Sequence, residues 1–336
     1  VKAFVLEDFG LKNLKQRTVP TPEPGPGQIL VKVSAVSLNF RDRAVAEGYY
    51  TPEKMPPNLI PVSDAAGTVS AVGPGVSRFS VGDRVMSHYA SRWLDGPPRR
   101  DLGDFTLGGP LDGGLAEYLL LDQDGAVATP PSLSDEEAST LPIAALTAWF
   151  ALFERGGLEP GQTVLVQGTG GVSVAAAQLA SAFGARVIAT SSDDGKLARM
   201  RELGAAEVIN YRTTPDWAAA AVELTGGNGV DQVLDVVGGS SLNRSVSATR
   251  PNGHVAVIGF LESMTASLDL MPLLYGQTRV TGIATGHRRA FEELAAFVGV
   301  HGIKPVIDTV HAFDDAPLAF ERLGQGAFGK IVVRVG

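Results

Sequence analysis

The sequence predicts an α/β protein, with an irregular β-barrel in its first part and a doubly wound parallel sheet in its second. Three observations carry this prediction. Short period-2 segments separated by Gly- and Pro-rich turns fill residues 1 to about 130. From Thr163 onward, short apolar runs alternate with helical patterns, as in a parallel sheet with crossover helices. Between two such runs, Thr163 to Val166 and Arg186 to Thr190, lies the tight turn Gly168-Thr169-Gly170-Gly171 and a small-residue helix from about Val172 to Phe183.

Taken in order, VKAFVLEDF and QILVKVSAV alternate like strands around the turn-rich Pro20 to Gly27, a hairpin or barrel piece. Residues 62–86 add two short strands split by Gly-Pro-Gly. His88 to Gly113 has no clear period and is long for a loop inside a compact domain, which points to function or flexibility. Strand character returns from Gly114 to Val127. Ser134-x-x-Glu137 then forms a capping box that opens a helix, continued by Leu141 to Glu154. After the glycine turn come strands at Val208–Tyr211, Gln232–Val237, His254–Ile258 and Val280–Ala284, with helices around Pro215–Leu224 and Leu242–Thr249. That makes about six strands. A helix over 288–299 and short strands in Ile303–Val335 lead back into the first part. The expected domains are therefore 1–135 with 286–336, and 136–285.

Glycines in the turn serve access. Backbone without Cβ bends sharply and comes within hydrogen-bond reach of a pyrophosphate, which rests on free N–H groups at the helix N-terminus. The fingerprint G-x-G-x-x-G is imperfect, since Ser173 stands at its last glycine. In the βαβ rule an acidic residue ending the second strand takes a ribose 2′-hydroxyl. Here Thr190-Ser191-Ser192 ends that strand and Lys196 follows one turn later, so hydroxyls and an ammonium would receive a 2′-phosphate. Asp193 and Asp194 complicate this unless they face their own helix N-terminus. The site reads as NADP(H) rather than NAD(H), and against S-adenosylmethionine, which carries no phosphate.

Composition removes other classes. The 36 Asp and Glu against 28 Lys and Arg give a net charge of −8, with no basic run, which argues against nucleic-acid or anionic-membrane partners. Cysteine is absent, so disulfides, cysteine nucleophiles and thiolate metal sites are excluded. No apolar run reaches membrane-span length and no charged-then-apolar leader is present, so a cytoplasmic protein is expected. The five histidines are scattered without metal spacing, and no G-x-S-x-G elbow occurs.

Across its length the chain resembles the medium-chain dehydrogenase/reductase superfamily. The carriers are the glycine turn within Val72–Val85, GGLAEY at 113–118, LTAWFAL, VQGTGGVS, RELGAAEVINYR at 201–212, and FGKIVVRV. The resemblance implies a GroES-like catalytic domain, a Rossmann domain, and nicotinamide and substrate in the cleft between them. The positions matching the superfamily's catalytic zinc ligands look like Asn39, Ser63 with Asp64, and Ile143, which do not form a tetrahedral N/S set. The structural-zinc lobe would fall in 88–113, which holds no cysteine. The chain therefore looks like the zinc-independent branch, which includes quinone oxidoreductases and enoyl reductases, although 88–113 is longer than their usual connection.

The resemblance places Ser192, Lys196 and Tyr211 around the 2′-phosphate. It puts Asn39 and Thr147 near the nicotinamide, Val236, Val237, Ile258, Gly259 and Phe260 along the coenzyme, and Gly329 with Lys330 near its phosphates. Together with Gly168, Gly170, Gly171, Val172 and Ser191 these are the expected coenzyme residues. Asn39, Arg41 and Tyr50 are candidate catalytic donors to an enolate or hydroquinone anion. The expected activity is NADPH-dependent, metal-free hydride transfer to a quinone or α,β-unsaturated carbonyl. Alternatives are an NADP(H)-linked alcohol or aldehyde dehydrogenase and a non-catalytic NADPH-binding regulator. The family usually pairs through its last Rossmann strand, so a homodimer is expected.

Overall fold

The structure, a computed structural model, describes residues 1–336. It divides into two compact units, Val1–Leu146 with Thr285–Gly336, and Thr147–Ala284.

In the first unit β1 (Lys2–Leu6) and β2 (Leu14–Thr18) form an antiparallel hairpin. Next come β3 (Gln28–Leu38), β4 (Asp64–Val72), β5 (Arg84–Ser87), β6 (Tyr118–Asp122) and β7 (Ala126–Ala128). After the six strands of the second unit the chain returns as β14 (Ile307–Ala312) and β15 (Lys330–Arg334). The sheet order is β14-β15-β3-β4-β5-β7, with β6 also on β3. The eleven-residue β3 is the axis of this unit, because its QILVKVSAVSL run supplies apolar side chains along its length. Ile29, Val31, Val33, Val36 and Leu38 are buried with Leu115, Phe320 and Val333. Burying one such side chain contributes about 1.5–3 kcal/mol. Two register shifts between β3 and β4, at Leu30/Val31 and Val33/Ala35, bend the pair and curl the sheet.

Residues 136–146, expected in the second domain, belong to the first unit. The capping box forms as expected: Glu137 N donates to Ser134 Oγ and Ser134 N to Glu137 Oε2. The helix it opens is short, Asp135–Ala138, and is tied to the barrel by Ser37 Oγ donating to Ser139 O at 2.8 Å. The expected helix 141–154 forms as one unbroken helical stretch, in which π-type segments Leu141–Ala145 and Phe150–Arg155 flank α-helical Leu146–Trp149. Pro142 brings no N–H to a regular ladder at the first of these segments. Segment 88–113 contains no strand. It is packed down, with Arg288 N and Arg289 N donating to Trp93 O and Leu94 O.

The second unit is a six-stranded parallel sheet of β8 (Thr163–Gln167), β9 (Arg186–Ser191), β10 (Ala205–Asn210), β11 (Val230–Asp235), β12 (Thr249–Val257) and β13 (Arg279–Gly282). Its order is β10-β9-β8-β11-β12-β13, so the winding reverses between β8 and β11. Leu165, Ile188, Val233, Val255 and Trp217 form its core. The helix Gly171–Ala182 lies close because the side chains it buries include Ala176, Ala177 and Ala180. No helix is long and apolar enough to cross a membrane.

Candidate active site

In the second unit nearly every expected coenzyme residue falls on the carboxyl edge of the parallel sheet. Gly168 to Val172 follow β8, Ser191 ends β9 with Ser192 and Lys196 after it, and Tyr211 follows β10. Val236 and Val237 follow β11, while Ile258, Gly259 and Phe260 follow β12. In doubly wound sheets ligands sit outside this edge at the point of reversal. Gly168 has φ 73, which favours glycine. Gly170 is different: its φ is −77 and a Cβ there would meet no atom within 4 Å, so nothing in the protein itself demands a glycine. Gly259 is a packing glycine, since a Cβ there would overlap the Val236 carbonyl.

The helix after the turn has no side-chain cap, and its first backbone bond runs from Val174 N to Gly170 O. The N–H groups of its first turn are therefore outside the helix ladder. Ser173, at the missing third glycine, pins that helix instead: its Oγ donates to Gln167 O at 2.6 Å. Asp193 and Asp194 do face inward to their own neighbourhood. Asp193 Oδ1 caps the helix at Lys196 N, and Asp194 Oδ1 accepts from Asn210 Nδ2 at 2.7 Å. Sequence reasoning missed Asp235, which is fully buried and accepts from Val237 N, Gly238 N and Ser245 Oγ, shaping the turn after β11. A carboxylate ending a strand just before Gly238-Gly239 is the signal that could have found it.

The first unit assembles a buried charge cluster around Asn39. Because β15 pairs antiparallel with β3, Ile331 opposite Leu38, Lys330 arrives beside Asn39. Its ammonium donates to Leu38 O at 2.8 Å and Asn39 Oδ1 at 2.6 Å, and lies 3.6 Å from Asp64 Oδ2. Ser63 Oγ and Ile143 N donate to the two oxygens of Asp64, at 2.8 and 3.2 Å. Asp42 accepts from Asn39 N and Ser63 N. Burial, then the charge of Asp64, raises Asp42 to about 6. Burial pushes the Lys330 ammonium down from its ordinary range, against the upward pull of Asp64 and Asp42. Asn39 Nδ2 is buried with no hydrogen-bond partner. A buried unpaired donor costs about 1–3 kcal/mol. Val62, just before Ser63, is held at φ 73, a strained conformation for a β-branched residue.

The structure gives three of the expected site residues definite partners. A Cβ on Gly329 would overlap Val306 O, and the Lys330 ammonium is committed inside the first unit. Arg41 is not a free catalytic donor. Its guanidinium donates to Leu107 O, Gly108 O, Gly109 O and Thr106 Oγ1, and stacks on Tyr50 and Tyr89 at 5.2 and 4.9 Å, so it clamps the 106–109 turn. Arg41 and Asp42 are both buried. Tyr50 is half-buried against that guanidinium, and burial lifts the neighbouring Tyr89 phenol to about 12. Thr147, the first residue of the second unit, is 2% exposed. No group of three or more His, Cys, Asp or Glu side chains is placed to hold a metal ion.

A parallel sheet of order β10-β9-β8-β11-β12-β13 with a glycine turn at its reversal is a nucleotide-binding Rossmann architecture. Residues 25–131 match the alcohol dehydrogenase GroES-like domain, and residues 171–299 the zinc-binding dehydrogenase family. The chain belongs to the medium-chain dehydrogenase/reductase superfamily of NAD(P)-dependent oxidoreductases. It is 38% identical to a zinc-type alcohol dehydrogenase-like protein of Schizosaccharomyces pombe, covering 99% of each chain. It is 27% identical to a quinone oxidoreductase of Pongo abelii, covering 98% of this chain and 96% of that one. A crystal structure of a candidate alcohol dehydrogenase from Sinorhizobium meliloti is 44% identical, with a TM-score of 0.93 over 99% of this chain and 98% of that one. A mycobacterial protein solved with NADPH is 28% identical, with a TM-score of 0.83 over 99% of each.

Proposed function

We propose that this oxidoreductase uses NADPH and, without zinc, reduces a quinone or α,β-unsaturated carbonyl. The observation that carries the proposal is the Lys330 ammonium seated between Asn39 Oδ1 and Asp64 Oδ2. Two oxygens that a cation could use are already engaged by the chain's own positive charge, and Ile143 offers only a backbone N–H. This donor set does not fit zinc. Without a Lewis acid, conjugate hydride addition is the easier reaction, because its anion needs only a hydrogen-bond donor and a proton.

The coenzyme preference is supported by Ser191, Ser192, Lys196 and Tyr211 at or after the ends of β9 and β10, and by both nearby aspartates being bound elsewhere. The amides beside Gly170 and Gly171 would receive the pyrophosphate, with Val172 against it. Val236, Val237, Ile258 and Phe260 would line the remainder, and Asn39 and Thr147 would approach the nicotinamide, which supplies hydride when bound. A second reading, alcohol or aldehyde oxidoreduction, is favoured by the alcohol dehydrogenase names of the similar proteins. Turnover of 1,2-naphthoquinone and an enone with NADPH, against aldehydes and alcohols, decides between them. Metal-depleted protein should keep its rate; loss of activity restored by zinc would reject the metal-free reading.

We also propose a homodimer through the β13 edge. Leu270, Met271, Leu274 and Tyr275, in the helix just before β13, are 59–81% exposed. Exposed apolar side chains beside an uncovered strand edge favour self-pairing. Light scattering should give a dimer mass, and Leu274→Glu with Tyr275→Lys should shift it to monomer.

A further inference from the structure

The geometry points to Lys330 as a positioning residue that fixes the Asn39 amide so that its NH2 group donates to the carbonyl oxygen of a bound ligand. This deepens the function proposed above and rests on it. An ammonium only donates hydrogen bonds, so the Asn39 atom 2.6 Å from Lys330 Nζ must be the amide oxygen. Its NH2 group then has to face the other way. The alternative rotamer would set two donors against each other in a buried place.

The ammonium cannot swing off to release the amide, because Leu38 O and the Asp64 carboxylate hold it on its other sides. Asp64 is itself fixed by Ser63 Oγ and Ile143 N. The backbone of Asn39 is fixed as well, its N–H donating to Asp42 Oδ2 at 2.7 Å. The contacts that hold Lys330, Asp64 and the Asn39 backbone are thus all made. Asn39 is nine-tenths buried, and its Nδ2 alone lacks an acceptor. A fixed, desolvated amide donor suits a carbonyl oxygen that gains negative charge as hydride adds to its conjugated carbon. Two sources share that chemistry, the carbonyl of the acceptor and the carboxamide of the nicotinamide.

The test uses the full-length protein with Asn39→Leu, Asn39→Asp and Lys330→Met, and the pair Lys330→Met with Asp64→Asn in case an unpaired Asp64 prevents folding. Each is assayed for NADPH affinity by fluorescence titration, for kcat and KM with an enone, and by the Asn39 side-chain amide resonances in protein labelled with 15N-asparagine. Asn39→Asp keeps an acceptor for Lys330 while removing the donor, so it should remain folded. If the acceptor carbonyl is the ligand, Asn39→Asp and Asn39→Leu lower kcat by about 10²-fold with NADPH affinity unchanged. If the carboxamide is the ligand, NADPH affinity falls about tenfold or more in the same variants. In either case Lys330→Met, or the pair, gives a smaller loss of the same kind and shifts and broadens the Asn39 side-chain NH2 resonances as the amide loses its fixed orientation. Wild-type kinetics and NADPH affinity in Asn39→Leu overturn the inference, as does an unaltered amide signature without the lysine. A wild-type protein that does not bind NADPH at all defeats the proposed function instead, while the amide signature still reports on Lys330.

Discussion

The two units handle polar groups in opposite ways. The first buries whole charges: Asp42, Asp64, Lys330 and Arg41 all lie inside it, each held by backbone groups, hydroxyls or one another, although Arg41 Nε has no partner. The second buries one carboxylate, Asp235, and otherwise keeps its chemistry at an edge, where glycines and strand ends present backbone and short hydroxyl side chains. Buried charges stay ionised only when surrounded by partners, so the first unit is a rigid frame whose members cannot be exchanged singly. The edge of the second unit is built so that a ligand can approach it. Different failures should follow when each is disturbed.

The largest contrast should come from one methyl group placed in each unit. A Cβ on Gly113 would overlap the Val62 and Pro61 carbonyls, beside the strained turn that aims Ser63 and Asp64. Gly113→Ala should destabilise the protein by about 3 kcal/mol or more in denaturant melts. Gly170→Ala should cost at most about 1 kcal/mol, the difference expected at a helix N-cap, because the space around it is open. Its NADPH affinity should nevertheless drop at least about tenfold, since the methyl group would stand where the pyrophosphate meets the backbone. Equal melting losses in the two variants, or full NADPH affinity in Gly170→Ala, would break the contrast.

A smaller effect is expected at the end of β9. Ser191→Asp with Lys196→Ala removes a cation and adds a carboxylate while leaving Asp193 as the helix cap. The ratio of kcat/KM for NADPH over NADH should fall by about 10²-fold, as charge-assisted contacts to a phosphate are replaced by repulsion. An unchanged ratio would remove the 2′-phosphate assignment and leave the glycine turn untouched.

How far each unit could be read from its sequence follows from the same contrast. The edge of the second unit was legible because β8, the glycine turn, the helix and β9 are consecutive, so the contacts that matter are local. Even there Asp235 went unnoticed, because its role depends on a turn geometry and a helix hydroxyl, Ser245, that no motif records. The cluster of the first unit was not legible. Asn39 and Lys330 are 291 positions apart and meet only through the register of β15 on β3. Arg41 was read as a donor because its partners are carbonyls of residues 107–109, and a backbone acceptor leaves no mark in the sequence. Segment 88–113 lacked a period because it is held by those contacts, by the Arg288 and Arg289 amides and by isolated bridges such as Ala90 with Thr106, not by a regular strand.

Acid should act on the two units differently. In the first, burial lowers His88 to about 4, while Asp42 is raised to about 6. His88 contributes stability that is complete above its unfolded value of 6.5 and is lost as pH falls towards 4. Asp42 contributes stability that is complete below 3.8 and is lost as pH rises towards 6. Between about 4 and 6 the two slopes oppose each other. The second unit has no such compensation, because burial, then Arg279, lowers His254 to about 4 with neither ring nitrogen bonded. Its stability should therefore decline as pH falls from 6.5 to 4. His254→Leu removes no hydrogen bond and should flatten the fall in Tm across that window, raising Tm at pH 4.5 more than at pH 7. Parallel Tm curves for wild type and His254→Leu would mean that this histidine carries none of the acid sensitivity, and the difference between the units would then rest on their glycines and charges alone.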